Sequence, residues 1–305
     1  MKMEHLVKAA AIVSIALISY AGSPGKAKAE TINCTEITTL PTTISTQGVY
    51  CLKKHISTNL ASGAAITVTT NNVTIDCNEF KVGNLAAGLL TQAVGIQATG
   101  RVNVTVRNCG IRGFQTGINF TNGQYRVETS RVDNNTQIGI RVGGDGSVVR
   151  RNEIVDTGGS QVSGVLEFYG IYAEGNVDIT DNIVSSVAAT ATGTSSRHVY
   201  GIYGTEMNAG LVGGNRVLDL APYGLLGNRH GIRIENGSNN TVRGNTVVMG
   251  SGLLATDTAI RCGSSLAGLI GGVATENIIL QAGVLGTVGA LLNCTAILGG
   301  NYVNI

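Results

Sequence analysis

Glu174 and Glu235 are two carboxylates with the spacing to act on one ligand, and around them stand the residue types that acid-base and binding chemistry use. Tyr172 comes two residues before Glu174, Tyr203 holds the same place in the next "YGIY", and "HGIRIE" places His230 and Arg233 beside Glu235. A carboxyl pair can supply the acid and base of glycoside hydrolysis, provided the two are held several ångströms apart. A tyrosine or a neutral histidine can take a proton without a metal. Arginine forks such as Arg141, Arg233 and Arg261 clamp planar anions or line a polar ligand. Whether these side chains meet depends on the elements that carry them.

Those elements repeat. "YGIYAEGNVDITDNIVS" from 169, "YGIYGTEMNAGLVGGNRVLD" from 200 and "HGIRIENGSNNTVRGNTVV" from 230 share one pattern. Each has Gly-Ile, then about a dozen residues, then Asn with aliphatic neighbours. The anchors are Gly95, Gly117, Gly139, Gly170, Gly201 and Gly231, extended by Ala65, Ala259 and Leu291. The Asn positions are Asn78, Asn152, Asn182, Asn215, Asn245 and Asn301, with Cys109, Ser130 and Val273 standing in elsewhere. Fixed-period self-similarity means a repeat architecture. Alternating apolar and polar residues between Gly/Asn turns are strand-like, and no 3.6-residue stripe supports a helical solenoid. A period starting at 22 residues, with about three short strands per turn, describes an all-β fold, a parallel β-helix (solenoid) of about nine rungs. Equivalent residues then stack about 4.8 Å apart. Asn inside a turn can bond the rungs above and below through its amide.

In this register the Ile of each anchor points inward, so two outward columns follow. The first reads Gln97, Asn119, Arg141, Tyr172, Tyr203, Arg233 and Arg261; the second reads Thr99, Thr121, Gly143, Glu174, Thr205, Glu235 and Gly263. Tyr169, Tyr200 and His230 precede the glycines on the same strands. Glu174 and Glu235 come two rungs apart, about 9.6 Å at the backbone. All the added length falls between the Asn position and the next Gly-Ile, as in 157–168, 185–199 and 218–229, so long loops flank this face. Insertions on one side of a solenoid often line its binding surface. Rows of Tyr, Arg and carboxylate there suit a linear polar polymer such as a polysaccharide.

The repeat, together with "GVYCLKKHIS" and "AITVTTNNVTIDCNEFKV", resembles secreted right-handed parallel β-helix proteins of the pectate-lyase-like superfold, over residues 48–305. The resemblance implies the right-handed fold and leaves function open, because that fold hosts lyases, hydrolases, epimerases, adhesins and inert spikes. "HGIRIE" shares HG and RI with motifs of polygalacturonases, but no NTD or paired-Asp motif accompanies it. A calcium-dependent lyase would need clustered carboxylates. Asp178 and Asp181 read instead as turn residues, so no metal or other cofactor is expected.

Composition bounds the rest. The chain has 305 residues, 43 of them Gly, and 43% hydrophobic content, which excludes disorder. Lys2 and Lys8, the apolar run 9–21 and "AKA" at 27–29 read as a secretory signal over 1–29, too short to span a bilayer. The expected organisation is this signal, an N-terminal cap and first turn over 30–60, and the β-helix over 61–305. Without Lys2, Lys8, Lys26, Lys28 and Glu4 the chain keeps 17 basic and 18 acidic residues, which argues against nucleic-acid binding. Six cysteines in an exported chain favour disulfides. Cys262 and Cys294 share one inward position on consecutive rungs, Cys77 and Cys109 lie on adjacent turns, and Cys34 is left with Cys51 in the cap. The expected protein is secreted or periplasmic, without a membrane span once the signal is removed. It binds a polysaccharide or cell-surface glycan, with or without cleavage by a lyase or hydrolase mechanism. The candidate catalytic residues are Glu174, Glu235, His230 and Tyr203; the candidate binding residues are Tyr172, Arg233, Arg141 and Arg261. The other reading is a non-catalytic surface, structural or adhesin-like β-helix.

Overall fold

The Gly-Ile anchor is a packing device. In the computed structural model, a Cβ placed on Gly170 would lie 2.6 Å from the Gly201 carbonyl oxygen, and one on Gly201 would lie 2.6 Å from that of Gly231. The side chains of Val184 and Val217 close the same space from inside. A residue without a side chain lets these rungs approach there, and the following Ile171, Ile202 and Ile232 are fully buried.

The structure describes residues 31–189, 195–224, 226–250, 256–262, 272–281, 291–292, 294, 296–297 and 300–304; the signal reading over 1–29 and the Gly263 position lie outside them. Every strand pairs in parallel with its equivalents on neighbouring turns. The described strands form three parallel sheets, one of eleven and two of ten, as a right-handed β-helix requires. The anchors lie on one ten-stranded sheet, which includes Thr116–Thr121, Ile138–Gly143, Glu167–Glu174, His198–Thr205, Arg229–Glu235 and Thr258–Arg261. Strands already pair at Thr35–Glu36 and Thr42–Ile44, inside the segment expected to cap the helix. Leu85–Ala87 is a short 3-10 turn, and no helix among the described residues is long and apolar enough to cross a membrane.

At one corner the turns are locked by amides. Asn152, Asn182, Asn215, Asn245 and Asn277 are all buried, and the ladder ends on Asn301. Within it, each Oδ1 accepts from both the backbone N–H and the Nδ2 of the preceding Asn; those of Asn182 onto Asn215 are both 3.0 Å. Each Nδ2 also donates to a strand carbonyl, as Asn215 does to Ile179 at 2.8 Å. Ser130 and Cys109 continue the line downward, Cys109 N–H donating to Ser130 Oγ and Ser130 N–H to Asn152 Oδ1.

Two details of the repeat differ from the sequence reading. The member after Asn245 is Asn277, not Val273, which instead pairs with Thr241 inside a strand. The step from the anchor position to the ladder is therefore longer in this turn, Ala259 to Asn277 against Gly231 to Asn245 in the turn before. Asn78 stands at the ladder corner, but its Nδ2 turns to the Leu52 carbonyl at 3.1 Å. The motif hid the first shift because a Gly-Gly pair precedes Val273 just as one precedes Asn215.

The three expected disulfides are present: Cys34–Cys51, Cys77–Cys109 and Cys262–Cys294, with Cα separations of 5.8, 4.7 and 4.9 Å.

Replacing Asn215 with Ala leaves the buried Asn182 N–H without its acceptor and takes one bond each from the Asn182 Nδ2, the Ile179 carbonyl and the Asn245 Oδ1. Unmet buried polar groups cost about 1–3 kcal/mol each before relaxation. Urea unfolding of Asn215→Ala should therefore register a loss of about 3–5 kcal/mol. Asn119 lies on the outer face, its Oδ1 buried and without a hydrogen bond. Asn119→Ala should stay within about 0.5 kcal/mol of the parent or exceed it.

Candidate functional site

Strand register sets the outer face of the anchor sheet. Gln97, Asn119, Arg141, Tyr172, Tyr203, Arg233 and Arg261 stand opposite one another on consecutive strands. Glu174, Thr205 and Glu235 form the adjoining column. All of the candidate residues read from the sequence thus lie on one face.

They do not all face solvent. Tyr169, Tyr200 and His230 are only 7%, 5% and 2% exposed. Their rings stack along the solenoid axis, with centroids 4.8 Å apart for Tyr169 and Tyr200 and 5.0 Å for Tyr200 and His230. Tyr172 and Tyr203 lie edge-on against Tyr169 and Tyr200, at 5.2 Å in each pair, and cover them. The accessible aromatic surface is therefore Tyr172 and Tyr203, 5.3 Å apart and both half-buried. Arg141 extends it, its guanidinium carbon 5.0 Å from the Tyr172 ring centre.

One network ties the column together. Tyr203 donates to Glu235 Oε2 at 2.9 Å. Arg233 donates from Nε to Glu235 Oε1 at 2.8 Å, and its Nη2 meets the same oxygen. Arg261 Nη1 lies 3.5 Å from that oxygen, and Arg141 Nη2 lies 3.5 Å from Glu174 Oε2. Arg233 Nη1 donates to His230 Nε2 at 2.8 Å. Because arginine can only donate, the imidazole proton is on Nδ1, which is buried without a hydrogen-bond partner. Glu167 was not singled out from the sequence, yet it accepts from Tyr169 at 2.5 Å and from Tyr200 at 3.2 Å. Its place two residues before Tyr169 on an alternating strand was the available signal.

The long loops form a flank. Arg197 and Tyr223 exchange backbone hydrogen bonds of 2.8 and 3.2 Å across an antiparallel bridge, joining two successive insertions. Arg197 Nη1 donates to the Ser160 carbonyl at 3.2 Å, tying in the 157–168 loop. The Asn228 N–H donates to His198 Nδ1, and Thr256 Oγ1 donates to Asn228 Oδ1 at 2.6 Å. The insertions thus brace one another beside the anchor strands instead of standing as separate fingers.

This wiring sets the protonation states. Burial, followed by the charges of Arg233, His198 and Arg261, lowers the pKa of His230 from 6.5 to about 3. Burial alone would raise the pKa of Glu235. The hydrogen bonds and charge of Arg233, the Tyr203 hydroxyl and the Arg261 charge outweigh it, and the carboxyl is held below its usual range. Burial, then the bond to Glu235, pushes the Tyr203 phenol above its ordinary range. A general acid needs a raised carboxyl and a phenol base needs a lowered one. Glu235 and Tyr203 are shifted the opposite ways. The array presents donors, acceptors and aromatic rings on one face.

The model of the family described as "Right handed beta helix region" matches residues 43–201 and 116–265. Among solved structures, the chain is similar to the enzymatically active domain of tailspike protein 2 of bacteriophage CBA120, at 14% identity and a TM-score of 0.53. That alignment covers 77% of this chain and 38% of the other. It is also similar to the Dettilon tailspike protein, at 16% identity and a TM-score of 0.51, over 88% of this chain and 60% of the other. The chain thus spans less than two thirds of either structure, and at such identities the likeness carries the fold alone. No curated protein sequence matches it.

His230 generates a pH signature. Its folded pKa, about 3, lies below the 6.5 of an unfolded chain, so the unfolded state binds the proton first as pH falls. Stability is complete above pH 6.5 and declines toward pH 3, by at most about 1.4 kcal/mol per pH unit from this group. Urea unfolding of His230→Phe should show a flatter acid limb than the parent from pH 6.5 downward, and in the parent the His230 imidazole resonance should not titrate between pH 7 and about 4.

Proposed function

This chain belongs to the right-handed beta-helix family, and from that premise we propose that it binds a polysaccharide along the outer face of its anchor sheet. The observation that carries the proposal is the stacked column Arg141, Tyr172, Tyr203, Arg233 and Arg261, which continues over five consecutive strands beside the braced loops. A linear polymer meets a repeating surface with repeating contacts. Tyrosine offers an apolar ring and a hydroxyl on one rigid side chain, which suits a sugar with an apolar face and a polar rim. The solved tailspike domain described as enzymatically active shares the fold, and it lends the reading support by analogy only.

The proposal is for binding and does not require turnover. The Glu235 carboxyl is committed to Arg233, Arg261 and Tyr203, and the His230 Nε2 lone pair is taken by Arg233. Each would have to leave its partners before moving a proton. Calcium plays no part in the proposal; among the described residues no three His, Cys, Asp or Glu side chains group as a metal site would need. We place the protein outside the cytoplasm, secreted or periplasmic, on the combination of the 1–29 signal pattern with three disulfides.

Affinity electrophoresis in gels containing individual polysaccharides tests this. At least one polysaccharide should retard the protein, and Tyr172→Ala/Tyr203→Ala should lose that retardation while its melting temperature falls by only a few degrees, as for half-buried surface residues. Undiminished binding by the double variant would move the site elsewhere. Mobility unchanged in every gel would favour the structural reading, a β-helix serving as a rigid spacer.

A further inference from the structure

The arginines of the column are already answered by the protein's own carboxylates. Arg233 turns its Nε and Nη2 edge, the edge with which arginine clamps a carboxylate or sulfate, onto one oxygen of Glu235. Its remaining nitrogen, Nη1, donates to His230. Arg261 leans on the same Glu235 oxygen, and Arg141 is paired with Glu174. Glu167 adds a third carboxylate against the buried tyrosines, so three arginines face three carboxylates over these rungs.

An acidic polymer would gain no net attraction from such a surface. To reach the Arg233 fork it would have to displace Glu235 and leave that half-buried carboxylate without its main partner, which is costly. A neutral sugar faces no such exchange. Its hydroxyls both donate and accept, and the ion pairs still offer carboxylate lone pairs and guanidinium hydrogens at their rims. Side chains of Glu174 and Arg141 are 40% and 37% exposed, and those of Glu235 and Arg233 are 25% and 21% exposed. The Tyr172 hydroxyl has no protein partner among the described residues and can serve either way.

We propose that the polysaccharide is neutral, and that Glu174 and Glu235 set this specificity by occupying the arginine forks that would otherwise hold uronate or sulfate groups. The proposal rests on the glycan-binding reading above and adds the charge class of the ligand. Glu174 and Glu235 are specificity residues in this account, facing the ligand as hydrogen-bond acceptors.

The test uses the same gels with a set of neutral polysaccharides, polygalacturonate and dextran sulfate, each run from about 0.05 to about 0.5 M salt, a range over which Coulombic attraction is progressively screened. The parent should be retarded by a neutral polysaccharide, with affinity changing less than about twofold across the salt range, and should run freely in both polyanions. Glu174→Gln/Glu235→Gln should acquire retardation by dextran sulfate of about tenfold or more, abolished by salt, because its three arginines are released. Thermal melting of that variant confirms that the gain occurs in folded protein. Retardation of the parent by a polyanion, steeply salt-dependent and lost in Arg233→Ala, would overturn the charge assignment while leaving the glycan-binding reading in place. A folded double glutamine variant that still ignores dextran sulfate would also overturn it. Failure of every polysaccharide to retard the parent would remove both.

Discussion

A buried amide with an unmet hydrogen bond costs about 1–3 kcal/mol, and that cost, repeated on successive rungs, fixes the register of this solenoid. From Asn182 to Asn301 each ladder oxygen answers two donors of the preceding rung, so a turn that slipped by one residue would strand polar groups on both sides of the break. The isoleucines, valines and close-approach glycines agree with this register but tolerate neighbours of similar size. The amides do not. Aliphatic burial supplies the driving force, and the asparagines select one stacking out of several.

The function proposed for the outer face depends on that selection. A one-residue slip in a strand exchanges inward and outward side chains. Tyr203 stands over Tyr172 and under Arg233 because Ile202 is held between Ile171 and Ile232. The half-buried network of tyrosine, arginine and glutamate is then assembled without any loop having to place its members. The loops contribute the flank, and their mutual hydrogen bonds, Arg197 with Tyr223 above all, give that flank the spacing of the rungs beneath it.

Most of the fold was legible because a solenoid writes its register into the chain: period, inward aliphatics, corner asparagines and two of the disulfides follow from aligning one turn with the next, and the third joins the two cysteines left over in the cap. The alignment fails where the step from anchor to ladder lengthens, and Val273 takes the place of Asn277 in it because the glycines before it mimic an earlier turn. For the site, the sequence placed Tyr172, Tyr203, Arg233, Arg261, Glu174 and Glu235 on one face. It could not give their depth. Tyr169, Tyr200 and His230 come two residues before the inward isoleucines, where strict alternation would turn them inward, yet they meet Tyr172, Tyr203 and Arg233 on the outer side and the tyrosines lie beneath the rings of Tyr172 and Tyr203. Nor could it give the pairing of charges, since Glu235 meets Arg261 from the next rung as well as Arg233 on its own strand. Glu167 escaped notice because its partners, the phenols of two successive rungs, are apparent only once those rungs are stacked.

Stacked register alone is proposed to make a ligand-binding column of Tyr172, Tyr203 and the paired charges beside them. A crystal structure of the protein with a neutral oligosaccharide would show whether it does. Sugar rings should lie against Tyr172 and Tyr203, with hydroxyls within hydrogen-bond distance of the Glu174 or Glu235 carboxylates and both ion pairs intact. An oligosaccharide seated on either of the other two sheets, or on the anchor face with Glu235 displaced from Arg233, would contradict it.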